Sequence, residues 1–131
     1  MENSKIAKGL NIRRAVLGDA HVDKSLTQAD DFNQPMIDFV AEYCWGTIWE
    51  RPGLSRRDRS LLNLGMLSAL NRSDEMKVHV RGALRNGLTK DEIREALMQV
   101  AVYCGVPAGA TAFRIAREVF KQLEDEQKGK G

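Results

Sequence analysis

Apolar residues recur along this chain at the spacing of helix faces, and nowhere with the strict alternation of a half-buried strand. Ile6 and Leu10 open a weakly patterned first helix that runs to about Leu17, where Gly18 and Asp19 break it. Residues 19–34 are polar and read as irregular. Phe32, Met36, Phe39, Val40 and Tyr43 then fall on one face of a second helix. Pro35 suits its first turn, where a missing N–H costs nothing. Arg51-Pro52-Gly53 ends it, because the residue before a proline is pushed out of helical geometry.

Ser55-Arg56-Arg57-Asp58 resembles a capping box with Asp in place of Glu. The helix it starts carries Leu61, Leu62, Leu64, Met66, Leu67 and Leu70, apolar on nearly every side. That pattern predicts the central, most buried helix. Asn71 is its C-cap, and Ser73 caps the next helix, with Asp74 and Glu75 complementing the dipole of the first turn. The stripe of that helix is Met76, Val80, Ala83 and Leu84, and Asn86-Gly87 ends it. Thr89-Lys90-Asp91-Glu92 is a full capping box, followed by Ile93, Leu97, Val100 and Cys104. Gly105 and Pro107 terminate that helix, and a last one carries Ala112, Ile115, Val119 and Leu123. The pattern predicts an all-α single domain over residues 1–131, a bundle of about six to seven helices. Residues 127–131 have no core to join and read as a frayed tail.

Composition narrows this picture. Of 131 residues, 43% are hydrophobic and 29% charged, the balance of a soluble globular domain. Twenty basic against 18 acidic residues give +2, too little to point to a nucleic-acid partner. Much of the excess lies at Arg51, Arg56, Arg57 and Arg59, which face only Asp58. Two Cys and two His cannot build a structural zinc site or a disulfide scaffold. Met1-Glu2-Asn3-Ser4-Lys5 opens onto no apolar run, so no signal peptide is expected. No apolar stretch is long enough to span a bilayer, and a cytoplasmic protein without a membrane partner is the expectation. So short a chain also has few residues to spare for the walls of an active site.

The residues that could carry chemistry are few. His79 lies three residues after Met76 and four before Ala83, on the edge of the buried stripe. It reads either as a hydrogen-bonded core histidine or as a side chain exchanging protons near neutral pH. Arg72 and Arg81 flank it in sequence; both suit an anionic ligand, and both also suit a solvated helix end. The segment from Tyr43 to Gly53 gathers Trp45, Trp49, Glu50 and Arg51 beside a chain break. Packing over the core explains the Trp pair, while Glu50-Arg51 reads as a surface ion pair or part of a pocket rim. Cys104, at a helix C-terminus on an apolar stripe, reads as a buried small hydrophobe and a poor nucleophile, and Cys44 is similar. His21 lies in the stretch read as irregular, with no partner evident from sequence. There is no phosphate loop, no nucleophile elbow and no metal-ligand spacing.

Five motifs run in order along the chain. They are Arg13-Arg14-Ala15-Val16-Leu17-Gly18-Asp19-Ala20-His21-Val22, Trp45-Gly46-Thr47-Ile48-Trp49-Glu50-Arg51-Pro52-Gly53-Leu54 and Arg57-Asp58-Arg59-Ser60-Leu61. His79-Val80-Arg81-Gly82-Ala83-Leu84-Arg85-Asn86-Gly87-Leu88-Thr89 and Tyr103-Cys104-Gly105-Val106-Pro107-Ala108 complete the series, which covers about residues 12–120. In this order they resemble the γ-carboxymuconolactone decarboxylase family, and the resemblance implies an alkylhydroperoxidase D-like fold, a homo-oligomer, usually a hexamer, and no cofactor. It implies decarboxylation of 4-carboxymuconolactone to 3-oxoadipate enol-lactone and CO2, on the β-ketoadipate route of protocatechuate breakdown. In that setting His79 becomes the proton donor or oxyanion donor, with His21 in reserve. Arg72, Arg51 and Arg81 become candidates for the substrate carboxylates, Glu50 a further substrate-site residue, and Trp45 and Trp49 candidates for an apolar wall.

Alternatives remain open at this point. A related lactone would ask for the same residue types. A helical module that only binds a small acid would show binding and release no CO2. A thiol peroxidase of the same fold is disfavoured: with Cys104 as its first thiol and Glu92 as its acid, Pro107 and Thr111 stand where the second Cys and the His are needed.

Overall fold

The computed structural model describes residues 4–130. Met1–Asn3, part of the polar opening that argued against a signal peptide, and Gly131, the last residue of the tail, lie outside the described residues. The chain divides into two compact units, Met1–Arg59 and Ser60–Gly131. Among the described residues there are seven α-helices, one π-helix and no strand. None of the helices is long and apolar enough to cross a membrane.

The first unit contains α1 (Ser4–Leu17), α2 (Asp19–Thr27), α3 (Gln34–Phe39), a π-helix π1 (Val40–Ile48) and the first turn of α4 (Arg56–Ala69). Its frame is α1 laid against π1. Gly9 and Gly46 make that approach possible. A Cβ on Gly9 would meet the Ala41 carbonyl, and one on Gly46 would meet the carbonyl of Lys5. Ile12, Val16 and Leu17 of α1 are buried, as are Trp45 and Trp49. The Trp rings stack with centroids 4.8 Å apart.

The expectation of irregular chain over 19–34 needs correcting for its first half. Gly18, at φ 93°, breaks the chain, and Asp19 at once restarts a helix. That helix has almost no apolar stripe, since Val22 is its one fully buried residue. Charge helps hold it: Arg14 reaches back to Asp19 at 3.3 Å and to Asp23 at 2.8 Å. An apolar-periodicity reading does not register a helix tethered this way.

The second unit packs α5 (Ser73–Arg85), α6 (Lys90–Cys104) and α7 (Val106–Lys130) with the remainder of α4. Leu64, Met76, Val80, Ile93, Leu97 and Val119 are nearly or fully buried at its centre. Both bonds of the Thr89 capping box form: Glu92 N–H donates to Thr89 Oγ1 at 3.0 Å, and Thr89 N–H donates to Glu92 Oε1 at 2.9 Å. Ser73 is the first residue of α5 and not its cap. Arg72 holds the N-cap position, without a side-chain capping bond.

Two further expectations are corrected. Helix α4 is not buried all round: Ser60, Leu64 and Ser68 form its buried strip, while Leu61, Leu62, Met66 and Leu70 are exposed. The C-terminal tail, read as irregular beyond Glu126, continues α7, which runs to Lys130. Its late turns are clamped by Arg81, whose Nη2 lies 2.7 Å from Glu126 Oε2 and 3.3 Å from Gln122 Oε1. Arg81→Ala should therefore loosen the end of α7, seen as faster amide exchange beyond Gln122, at a stability loss of about 0.5–1 kcal/mol. Unchanged exchange there would remove the clamp from the account.

Candidate active site

The residues singled out for chemistry fall into both units. His79, Arg72 and Arg81 share α5 or its N-cap in the second unit. Trp45, Trp49, Glu50, Arg51 and His21 belong to the first.

Local geometry sets Arg72. Helix α4 ends in a Schellman turn: Asn71 N–H donates to Ser68 O at 3.2 Å, and Arg72 N–H donates to Leu67 O at 2.9 Å. Asn71 takes the left-handed conformation this requires, at φ 60°. The chain then turns directly into α5, leaving Arg72 exposed at its start. Among the described residues, the Arg72 guanidinium makes no hydrogen bond or ion pair. It borders a cleft lined by Ser68, Asn71, Ser73, Met76 and Thr111. The cleft has about 10 Å³ of room for solvent, the space of one water.

His79 stands seven residues beyond Arg72, the N-cap of the helix that carries it. Met76, 1% exposed, lies between them. The ring is half-buried beside the fully buried Val80. Asn63 of α4 brings its side-chain amide Nδ2 to 3.4 Å from His79 Nδ1. Sequence reasoning passed over Asn63, although a polar residue inside Leu61-Leu62-Asn63-Leu64 was the available signal. It also missed the bond from Asn86 Nδ2 to the buried Ser60 Oγ, 2.8 Å long, which ties the end of α5 to α4.

The remaining candidates differ in how far they are open to a ligand. Arg81 is engaged with Glu126 and Gln122, so its charge is already matched within the unit. Trp45 and Trp49 are 3% and 7% exposed and present little surface as a wall within this chain. Glu50 is exposed, with Lys8 Nζ 4.0 Å away. Arg51 is also exposed, and its carbonyl accepts a bond from Arg59 Nη2 at 3.2 Å. His21 sits half-buried on α2 and not in a loop.

The two thiols separate. Cys104 is exposed, contrary to the reading as a buried hydrophobe, because it is the last residue of α6 before the break at Gly105. Cys44 is half-buried, and burial pushes its thiol pKa up against the opposing pull of Arg13. A raised pKa leaves less thiolate at neutral pH, which argues against a nucleophile at Cys44. Among the described residues, no group of three or more His, Cys, Asp or Glu side chains could hold a metal ion.

Residues 35–118 match the Carboxymuconolactone decarboxylase family. The chain is 43% identical over 122 residues to a 4-carboxymuconolactone decarboxylase of Acinetobacter baylyi, covering 93% of this chain and 91% of that protein. It is 40% identical over 119 residues to a nitrosuccinic acid decarboxylase of Metarhizium robertsii, covering 91% of this chain and 83% of that protein. A 4-carboxymuconolactone decarboxylase of Pseudomonas putida matches at 40% over 45 residues, 34% of this chain and 94% of that sequence.

Proposed function

The chain belongs to the carboxymuconolactone decarboxylase family, and from that premise we propose that it is a carboxy-lyase converting 4-carboxymuconolactone to 3-oxoadipate enol-lactone and CO2. The observation that carries this reading is the identity to the Acinetobacter baylyi enzyme, which extends over nearly the full length of both chains. The reaction would serve protocatechuate breakdown by the β-ketoadipate route, in the cytoplasm.

The chemistry can run without a cofactor. The departing carboxylate sits on the γ-carbon of an unsaturated lactone. As its C–C bond breaks, the electron pair moves through the ring double bond to the lactone carbonyl, giving CO2 and a dienolate. A proton then adds to the ring carbon next to that carbonyl. The protein has to hold the carboxylate that stays, place a donor at the carbonyl oxygen and keep the geometry fixed. Arg72, exposed and unpaired among the described residues, is suited to the first task. Arg51 is the second choice, and Arg81 is better read as the clamp on α7. His79 takes the role at the carbonyl, as oxyanion donor or proton donor.

A cleft with room for one water cannot enclose this lactone, which supports completion of the site by further copies of the chain. Exposed apolar side chains support the same homo-oligomer. Phe32, Met36, Phe39 and Tyr43, from the apolar face of the second predicted helix, are 94%, 61%, 55% and 50% exposed. Leu61, Leu62, Met66 and Leu70 add a second set. Apolar areas of this kind mark surfaces that are covered in the assembly.

The Metarhizium robertsii relative favours a second reading, a different small dicarboxylic acid as substrate. A nitro group next to the departing carboxylate is also an electron sink within the substrate, so the demands on the protein are the same. The deciding experiment supplies enzymatically generated 4-carboxymuconolactone and, separately, nitrosuccinate, and follows absorbance and CO2 release. Turnover of the lactone at least tenfold faster than the uncatalysed rate is expected. Turnover of nitrosuccinate alone would shift the assignment to the second reading, and binding without CO2 release from either would reduce the chain to an acid-binding module.

A further inference from the structure

We propose that Asn63 is a positioning residue that fixes the tautomer of His79, placing the ring proton on Nε2. The inference rests on the decarboxylase reading for its catalytic meaning, but its physical basis is independent of it. The group facing His79 Nδ1 is the amide nitrogen of Asn63, at 3.4 Å. An amide NH2 donates and does not accept, so Nδ1 supplies its lone pair and the neutral ring carries its proton on Nε2.

Asn63 is an otherwise unfavourable choice at its position. It interrupts Leu61-Leu62-Leu64 in the middle of α4, where Asn is a poorer helix former than Leu. It is half-buried next to Leu64, which is fully buried. A polar side chain there needs a partner, and His79 is the one it meets.

The consequence for the reaction is specific. A ring turned to the other tautomer would present a lone pair, and not an N–H, at Nε2, and could not act as the donor that the decarboxylase reading assigns to it.

The test reads the tautomer directly, on uniformly nitrogen-15-labelled full-length protein without substrate, from long-range proton–nitrogen correlations of the imidazoles. With two histidines in the chain, His21→Gln assigns the signals. The expected result is the Nε2–H pattern for His79. In Asn63→Asp a carboxylate, which only accepts, should switch the ring to Nδ1–H, with kcat lowered about ten- to hundredfold at little change in KM. Asn63→Ala, which removes the donor and avoids a new charge, should give a mixture of the two tautomers. An Nδ1–H ring in the unmodified protein, or a tautomer unmoved in both variants, would overturn the proposal. If the expected tautomers appear but neither the unmodified protein nor any variant turns over the lactone, the decarboxylase reading fails and the positioning of His79 stands.

Discussion

Replacing His79 with alanine is expected to lower kcat for lactone decarboxylation by about two to three orders of magnitude, the usual cost of removing one donor at a developing oxyanion. The chain should still fold. The ring is half-buried at the edge of the core, and Met76, Val80 and Ala83 carry the buried face of α5 without it. Circular dichroism and a melting curve close to those of the unmodified protein would establish that, and CO2 release would establish the loss. KM should change less than kcat, because the carbonyl oxygen demands its donor most strongly once charge has built up. A folded His79→Ala protein with near-normal decarboxylation would exclude His79 and bring forward His21.

Gly9→Ala or Gly46→Ala should be the most destabilising small substitution in the first unit, by about 3 kcal/mol, at the upper end of overpacking effects. A Cβ on Gly9 would lie 2.8 Å from Ala41 C and 2.9 Å from Gly46 N, and one on Gly46 would lie 3.0 Å from Ala41 O. These neighbours are backbone atoms and cannot swing aside as a side chain could. Gly65 gives the contrast. It lies within α4, and a Cβ there would meet nothing within 4 Å, so Gly65→Ala should stabilise by about 0.5–1 kcal/mol through helix propensity alone. Chemical denaturation of the three variants reads this directly. Equal effects at Gly46 and Gly65 would show that propensity, and not the close approach, governs both.

Helix content and most boundaries were legible in the sequence because they are written in local chemistry. Thr89 with Glu92, the left-handed Asn71 and Gly87 at φ 100° are punctuation that needs no tertiary context. What escaped was written in pairs of distant residues. Helix α2 is held by Arg14 of another helix, and the end of α7 by Arg81 of α5. Apolar periodicity placed Met36 and Phe39 on one face of α3, but a stripe does not say what covers it, and that face is exposed in this chain; α4, read as apolar on nearly every side, has a buried strip of Ser60, Leu64 and Ser68. At the site, His79 stood out as the residue that broke its pattern. Asn63 broke its own pattern in the same way, but its significance appears only when α4 and α5 are side by side. The roles of Arg72 and Arg81 depended on one fact invisible to composition, namely which of the two meets an internal carboxylate.

The π-helix bears on how the first unit assembles. Its wider winding is visible in the bond from Trp49 N–H to Cys44 O, five residues back, and in Thr47 Oγ1 donating to Glu42 O at the same separation. Such winding is rare because the α-helix is the better local solution for almost any sequence. An isolated peptide covering Val40–Ile48 has no reason to adopt it. The form is maintained by α1, whose backbone presses against Ala41 and Gly46. Winding π1 and docking α1 are thus one cooperative event, with neither partner able to reach its final shape ahead of the other.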